Sequence, residues 1–501
     1  MRQQLRQLSG DTAIYGISTI VQRFLSFLLT PFYTHVLNRS EMGTQATIYV
    51  MISFVLIIAN AGMESAYFRF VSSAQTDQER RGIYWSAFGI NIVVAAGITL
   101  AILLAPGTTS AVAALGIEAD RYDLIRMAAA IIFLDSAAAI AFASLRMERR
   151  AKIFGSIKIA TIVVSVALNI WFVAVLRMGL RGVFLAGILQ SLFQLLVLLP
   201  FVARHLPVRF SRASALDLLR FGLPTIASGL ALIALQGIDR PILRLLTDEA
   251  TVGLYQAGFR MGIVMMIFVS MFEFAWRPFF LQQASQPNAR ILFSRIFTYY
   301  NLIAATIFLV ASFFTVIATT IPLPFTGGRS LIAPGFWDGL SVVPIVLAAY
   351  LFSGWYTNFI VGIYIEKKTS ALPWITGVGA AVKTALGFLL IPLIGFAGGA
   401  WGTLAAYVVM SITIYLFVRR LYPIPYEWGR VGRIILAAAV AYGVDLAVAG
   451  PWERSWSGAA VHVLSLLLFP LLLYILRFFR PGEVRELKRI IGRGTGASVN
   501  G

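Results

Sequence analysis

The chain has 501 residues, of which 59% are hydrophobic and only 13% carry a charged side chain. Soluble globular proteins carry about 25% charged residues, so this composition excludes a chain whose whole surface faces water. The absence of cysteine excludes disulfides, thiol catalysis and cysteine-based zinc sites. The net charge of +19 lies mostly in alternate loops, which favours membrane topology over nucleic-acid binding.

Apolar stretches of membrane-spanning length recur along the whole chain. A helix needs about 20 mainly apolar residues to cross roughly 30 Å of hydrocarbon. The pattern predicts an all-α polytopic membrane protein with about fourteen spans. They lie at 11–35, 44–68, 83–105, 122–145, 153–176, 182–203, 217–238, 252–276, 296–320, 339–363, 371–394, 397–418, 431–449 and 457–477.

The distribution of lysine and arginine predicts the orientation. Basic residues collect in the termini and in alternate loops, for example Arg80, Arg81, Arg149 and Lys152. Because basic loops stay in the cytoplasm, we expect both termini to be cytoplasmic. The expected location is the bacterial inner (plasma) membrane.

A weak internal repeat divides the chain. The segment 36–43 after the first span resembles 246–253 after the seventh, and Gly182-Val183 corresponds to Gly399-Ala400. A repeat of six spans in one orientation predicts two pseudo-symmetric lobes related by an axis along the membrane normal. We therefore expect an N-terminal lobe (1–212), a C-terminal lobe (213–422), two further spans (423–480) and a basic cytoplasmic tail (481–501).

Polar and ionisable residues inside the spans are the candidate site. An arginine or aspartate at the bilayer centre costs about 2.5–3.5 kcal/mol, so it usually faces the bundle interior. The first and fifth spans each carry a polar stripe at helical spacing. The predicted substrate-binding residues are Arg23, Lys158, Arg260, Lys383, Asn60 and Asn169, and the predicted ion-coupling acids are Glu64, Asp135, Asp239 and Glu273.

These stripes predict one electropositive chamber shared by the two halves. Arginine suits phosphate because its planar fork donates two parallel hydrogen bonds. The alternative is that each basic residue pairs with a membrane carboxylate, for example Arg23 with Glu64. We find no nucleotide-binding or triad motif and expect no cofactor and no bound metal. Energy would then come from an ion gradient, the membrane potential or substrate flow.

Several segments, in this order and spacing, resemble those of a known family. The chain is similar to the polysaccharide transporter, or oligosaccharide-lipid flippase, family of the multidrug/oligosaccharidyl-lipid/polysaccharide exporter superfamily. The segments that carry the resemblance are 11–16, 31–34, 62–70, 145–151, 221–224, 239–240, 252–255 and 274–279.

The resemblance implies a two-lobed bundle of twelve to fourteen helices that opens alternately to either side. It implies translocation of undecaprenyl-diphosphate-linked oligosaccharide from the cytoplasmic to the periplasmic leaflet, for O-antigen or exopolysaccharide synthesis. It places Arg23 and Arg260 at matching cavity positions and Lys158 and Lys383 at less certain ones. A coupling proton or sodium ion, a polysaccharide polymerase and glycosyltransferases are the expected partners, besides membrane lipids.

Three other functions remain open from the sequence. A multidrug exporter of the same superfamily would need an acidic, apolar cavity for cationic drugs, and the basic stripes disfavour it. A membrane-embedded polysaccharide polymerase or ligase would need large catalytic loops, and the longest outer loops, 106–121 and 321–338, are short. An uncoupled lipid scramblase would share the same spans.

Overall fold

The computed structural model describes residues 16, 20–21, 24–25, 27–105, 121–320, 329–448, 450 and 456–480. The expectations for Arg23, for most of the first span and for the tail 481–501 concern residues outside this set. The described part of the chain is almost entirely helical.

The helices of the first lobe follow a helical segment that ends at residue 36. They are α1 (Arg39–Ala59), α2 (Met63–Ser73), α3 (Asp77–Leu104), α4 (Tyr122–Met147), α5 (Ala151–Asn169, continued by a π-helical turn, Ile170–Val175) and α6 (Gly179–Ala203).

The second lobe and the final helices follow in the same order along the chain. They are α7 (Arg212–Gly237), α8 (Asp239–Leu246), α9 (Glu249–Met261), α10 (Ile263–Gln283), α11 (Ala289–Thr320), a 3₁₀ segment (Pro334–Val342), α12 (Val343–Phe359), α13 (Val361–Ile365), α14 (Ala371–Ile394), α15 (Ala397–Leu421), α16 (Trp428–Val448) and α17 (Trp456–Ile475).

Thirteen helical stretches of the described chain are long and apolar enough to cross a bilayer. They coincide with the second to fourteenth predicted spans, and the predicted all-α membrane fold with two pseudo-symmetric lobes is confirmed. Hydropathy did not show the breaks within spans. The predicted span 252–276 is divided at Gly262 into α9 and α10, and the span 44–68 is divided between α1 and α2.

The break between α1 and α2 has a steric cause. Ala61 and Gly62 adopt left-handed backbone angles, with φ of 46° and 69°. A Cβ at Gly62 would lie 2.1 Å from the carbonyl oxygen of Gly222, so only glycine fits. The bend brings α2 against α7, one of the places where the two lobes meet.

The repeated segments form the tightest contact between the lobes. Asn38 and Asp248 cap the N-termini of α1 and α9, each accepting a backbone N–H bond. A Cβ at Gly43 would lie 1.8 Å from the Glu249 carbonyl oxygen, and one at Gly253 would lie 1.9 Å from the Arg39 carbonyl oxygen. The two contacts are equivalent, so the pseudo-symmetry relates α1 to α9 where they pack.

The two lobes have different cores. In the first lobe, α4 buries a run of alanines that allows its neighbours close approach. The second lobe buries large aromatic side chains such as Phe280, Phe293 and Phe297. Helices α16 and α17 pack on α11 outside both lobes, and a buried Asp445–His462 contact of 2.8 Å joins them.

Candidate functional site

A cavity of about 890 Å³ lies between the lobes. Residues of the first lobe on α1, α5 and α6 line it, together with residues of the second lobe on α7, α8, α9, α10, α12, α14 and α15. At one end it stops short of the α1–α9 contact. Towards the opposite end, which carries the basic loops, its lining reaches Arg277 and Tyr364.

Four charged side chains are among the described lining residues. They are Arg240, Arg260, Glu273 and Arg277. Glu273 forms an ion pair with Arg277 one helical turn away. The lining therefore holds more positive than negative side chains, and Arg240 and Arg260 lie deeper towards the α1–α9 contact.

Arg260 lies in the last turn of α9 and lines the cavity beside the N-terminal lobe. Its guanidinium lies within electrostatic reach of Tyr33. The Tyr33 hydroxyl donates a 2.8 Å hydrogen bond to Asn169 Oδ1, and both side chains line the cavity. Tyr33 was not a predicted site residue, because a tyrosine in an apolar span is usually part of the core.

The predicted stripe on α5 reaches the cavity with only some of its residues. Ser165 and Asn169 line it, whereas Lys158 lies outside the described lining. The Lys158 ammonium sits 4.0 Å from the centre of the Phe142 ring and 3.4 Å from Gln194 Oε1. Asp135 is its nearby carboxylate, so these two residues form a polar cluster within the first lobe.

Arg240 is a cavity residue that the sequence placed only at the outer end of a span. Its Nη1 donates a 2.7 Å hydrogen bond to Asp239 Oδ1 and its Nε donates to Gln256 Oε1 at 3.1 Å. The guanidinium covers the Phe259 ring at 4.0 Å. Pro241 follows directly, so the Asp-Arg-Pro run at the start of α8 was the available signal.

Lys383 has a different environment from the one expected. It is 1% exposed, lies 3.2 Å from Asp239 Oδ2 and donates a 2.8 Å hydrogen bond to the Leu235 carbonyl oxygen. Neither Lys383 nor Asp239 belongs to the described cavity lining. For Lys383, the alternative of a basic residue held by a membrane carboxylate is therefore the arrangement found.

The remaining predicted residues lie elsewhere. Glu64 is ion-paired with Arg146, and Arg23, its proposed alternative partner, lies outside the described residues. Asn60 ends α1 and accepts a 3.4 Å hydrogen bond from Asn91. Within the described ranges, no cluster of three or more histidine, aspartate or glutamate side chains could hold a metal ion.

A partly buried ion pair joins the lobes at the α1–α9 contact. Arg121 Nη1 lies 2.5 Å from Glu249 Oε2, and Arg244 Nη2 lies 3.4 Å from Glu249 Oε1. Ser40 of α1 also donates to this carboxylate. Glu249 is 6% exposed, so it joins the two lobes in a protected environment. The sequence did not reveal this pair, because Arg121 falls in a predicted loop.

The sequence profile described as "polysaccharide biosynthesis protein" matches residues 8–284, more than half of the chain. The chain belongs to the polysaccharide biosynthesis protein family. Among curated proteins, no sequence matches significantly.

Solved structures show that this family member has a transporter fold. The lipid II flippase MurJ in an inward closed conformation aligns with a TM-score of 0.70 at 13% identity, over 92% of this chain and 99% of MurJ. An inward-facing MATE multidrug transporter of the MOP superfamily aligns at 0.65 and 15% identity, over 81% and 97%. A MATE transporter of Vibrio cholerae aligns at 0.53 and 15% identity, over 83% and 96%. At these identities the likeness concerns the fold alone.

Proposed function

We propose that this protein is a flippase that moves an undecaprenyl-diphosphate-linked oligosaccharide from the cytoplasmic to the periplasmic leaflet by alternating access. The family membership and the fold support a transporter of polysaccharide biosynthesis. The observation that carries the substrate class is the cavity between the lobes, with Arg240 and Arg260 at its deep end.

The lining suits the two polar parts of such a substrate. Guanidinium groups bind a diphosphate through charge-assisted hydrogen bonds. Tyrosines and amides, including Tyr33, Asn169, Gln190 and Tyr407, supply hydroxyls, donors and aromatic faces for sugars. A volume of about 890 Å³ falls within the roughly 300–1,000 Å³ of ligand sites. The polyisoprenoid tail would therefore stay in the lipid.

The direction follows from the membrane potential. With the basic loops in the cytoplasm of a bacterial inner membrane, an anionic headgroup leaves a negative interior. Each uncompensated charge then gains about 2.3 kcal/mol per 100 mV. We further propose that transport is coupled to a proton or sodium ion through one acidic residue: Glu64, Asp135, Asp239 or Glu273. Glycosyltransferases would supply the substrate, and a polymerase would remove it.

The charge of the lining also bears on the drug-exporter alternative. A site for cationic drugs would gain from a carboxylate free to pair with the drug. The one acidic lining residue in the described chain, Glu273, is held by Arg277. The basic deep end therefore favours an anionic substrate, although the MATE fold is shared.

The decisive variants are Arg23→Ala and Arg260→Ala in proteoliposomes that carry a fluorescent lipid-linked oligosaccharide. Removing a group that pairs with a buried charge costs about 2–5 kcal/mol, so we expect each to lower the initial flipping rate at least roughly tenfold. Arg260→Lys should recover part of the rate, because it keeps the charge and loses the planar fork.

Arg277 also lines the cavity, but it lies at the cavity end that carries the basic loops and is already paired with Glu273. Arg277→Gln is therefore the matched control. We expect it to lower the rate much less than Arg260→Ala. Near-normal flipping by both alanine variants, with normal membrane insertion, would contradict the assignment of the cavity.

A further inference from the structure

Three charged side chains form a closed cluster beside the cavity. Asp239 (2% exposed) accepts hydrogen bonds from Arg240 at Oδ1 (2.7 Å) and from the Tyr255 hydroxyl at Oδ2 (2.5 Å). Lys383 approaches the same Oδ2 at 3.2 Å. One carboxylate therefore faces two cations, and the cluster carries a net charge of +1.

The two cations differ in what else they face. Arg240 lines the cavity together with its partner Gln256, whereas Lys383 lies outside the described lining. Lys383 enters from α14 and makes its second contact with the Leu235 carbonyl oxygen, at 2.8 Å. The ammonium therefore contacts oxygens of both α7 and α8.

A lone Asp239–Arg240 pair would present the cavity with a neutral dipole. An ion pair that neutralises itself attracts an anion far less than a single cation does, because the two Coulomb terms nearly cancel. The second cation changes this balance. Because Lys383 offsets the negative charge of Asp239, the positive charge of Arg240 still acts on an anion in the cavity.

We propose that Lys383 is a built-in counter-cation for Asp239, and that it preserves the positive charge that Arg240 offers to a phosphate group in the cavity. Lys383 is then a positioning residue that does not contact the substrate. The phosphate ligand rests on the proposed function; the effect of Lys383 on the cavity potential does not.

The chain has no cysteine, so one introduced thiol can report the potential of the cavity. Ser353→Cys is a conservative reporter: it lines the cavity one turn from Tyr350, a lining residue within electrostatic reach of Arg240. The readout is the ratio of its reaction rates with an anionic and a cationic methanethiosulfonate of similar size, measured on the full-length purified protein without substrate.

We expect Lys383→Met to lower the anionic-to-cationic rate ratio on the order of tenfold, because one charge is lost near the reporter. Adding Asp239→Asn restores the net charge of +1 and should return the ratio to within about threefold of the parent. Lys383→Arg should stay near the parent. If Lys383→Met does not fold, Lys383→Gln makes the same change in charge with a polar side chain.

Rescue by the double variant separates charge from structure. A ratio that Lys383→Met leaves unchanged, or that falls equally in the double variant, overturns the proposal, because a purely structural role would not be rescued by removing a second partner.

Binding of farnesyl diphosphate, with farnesol as the neutral control, connects the result to the substrate. If Lys383→Met weakens diphosphate binding and the double variant restores it, both proposals are supported. If the rate ratios follow the charge but the parent protein does not bind the diphosphate, the proposed function fails and the role of Lys383 stands. If Arg260→Gln weakens binding but Lys383→Met changes neither readout, the proposed function stands and the role of Lys383 fails.

Discussion

Burial decides what each ionisable side chain in this protein can do. Arg260 and Arg240 line the cavity, whereas Lys383 is enclosed with Asp239 and lies outside the described lining. A buried charge is tolerated when it is paired and hydrogen-bonded. The cluster meets this requirement with one carboxylate, one carbonyl oxygen and one phenol hydroxyl, so its members act together.

His205 lies just beyond the end of α6, where its ring stacks on Tyr84 at 3.8 Å. Burial lowers its pKa from 6.5, partly offset by the Phe201 carbonyl oxygen and by Glu148, while Arg81 lowers it slightly further. The neutral ring is therefore favoured in the folded protein.

The pH dependence of stability follows from this shift. As pH falls from about 6.5 towards the lower folded-state pKa, the unfolded chain takes up the proton first, and folding stability is lost. We expect the melting temperature in detergent to fall over this window, and His205→Gln to flatten the dependence. An equally steep dependence in the variant would show that other groups cause it.

The N-terminal ends of α1 and α9 form the contact between the lobes. Helices α1 and α9 begin after equivalent caps, and Gly43 and Gly253 let their backbones touch. Two ion pairs bridge the lobes here. The side chains of the Arg121–Glu249 pair are 23% and 7% exposed, whereas those of the Arg39–Asp338 pair, at 3.7 Å, are 42% and 75% exposed.

We expect Glu249→Gln to destabilise the contact, because it leaves Arg121 and Arg244 close together without their shared carboxylate. The measurement is a spin-label distance between Met178→Cys and Ser341→Cys, on the two sides of the contact. The variant should populate longer distances. Asp338→Asn is the matched control and should change little, since exposed pairs contribute only about 0–1 kcal/mol. Equal effects of the two substitutions would argue against a latch at Glu249.

The described part of the chain forms two lobes that meet around the cavity, with α16 and α17 packed outside them. The proposed alternating access requires the α1–α9 contact to separate in each cycle. A covalent link across it should therefore stop transport without unfolding either lobe.

We expect the Arg39→Cys/Asp338→Cys pair, treated with a short thiol-specific cross-linker, to lose flipping in proteoliposomes, because the lobes can no longer part. Each single variant treated in the same way should keep its rate. Because the chain has no other cysteine, no background needs to be removed. Full activity of the linked protein would show that transport does not open this end.

The membrane fold was predictable because hydropathy acts locally along the chain. The second to fourteenth spans correspond to helical stretches of the structure, and the repeat 36–43/246–253 forms equivalent helix starts. The helix breaks at Gly62 and Gly262 were not predicted, since an apolar stretch has the same composition whether its helix is straight or broken. The deep cavity residue Arg260 was predicted from its place in a span, whereas Tyr33 and Arg240 were not.

Composition and periodicity determine that this chain lies in a membrane and where its helices run, because these properties depend on neighbouring residues and on the cost of placing charge in lipid. The weak internal repeat predicted that its two halves are alike. Which basic residue meets which carboxylate depends on contacts between helices far apart in sequence. Three such pairs form only when the helices assemble: Lys383 with Asp239, Arg146 with Glu64 and Arg121 with Glu249. The hydropathy pattern does not predict them, because it carries no information on which helices become neighbours.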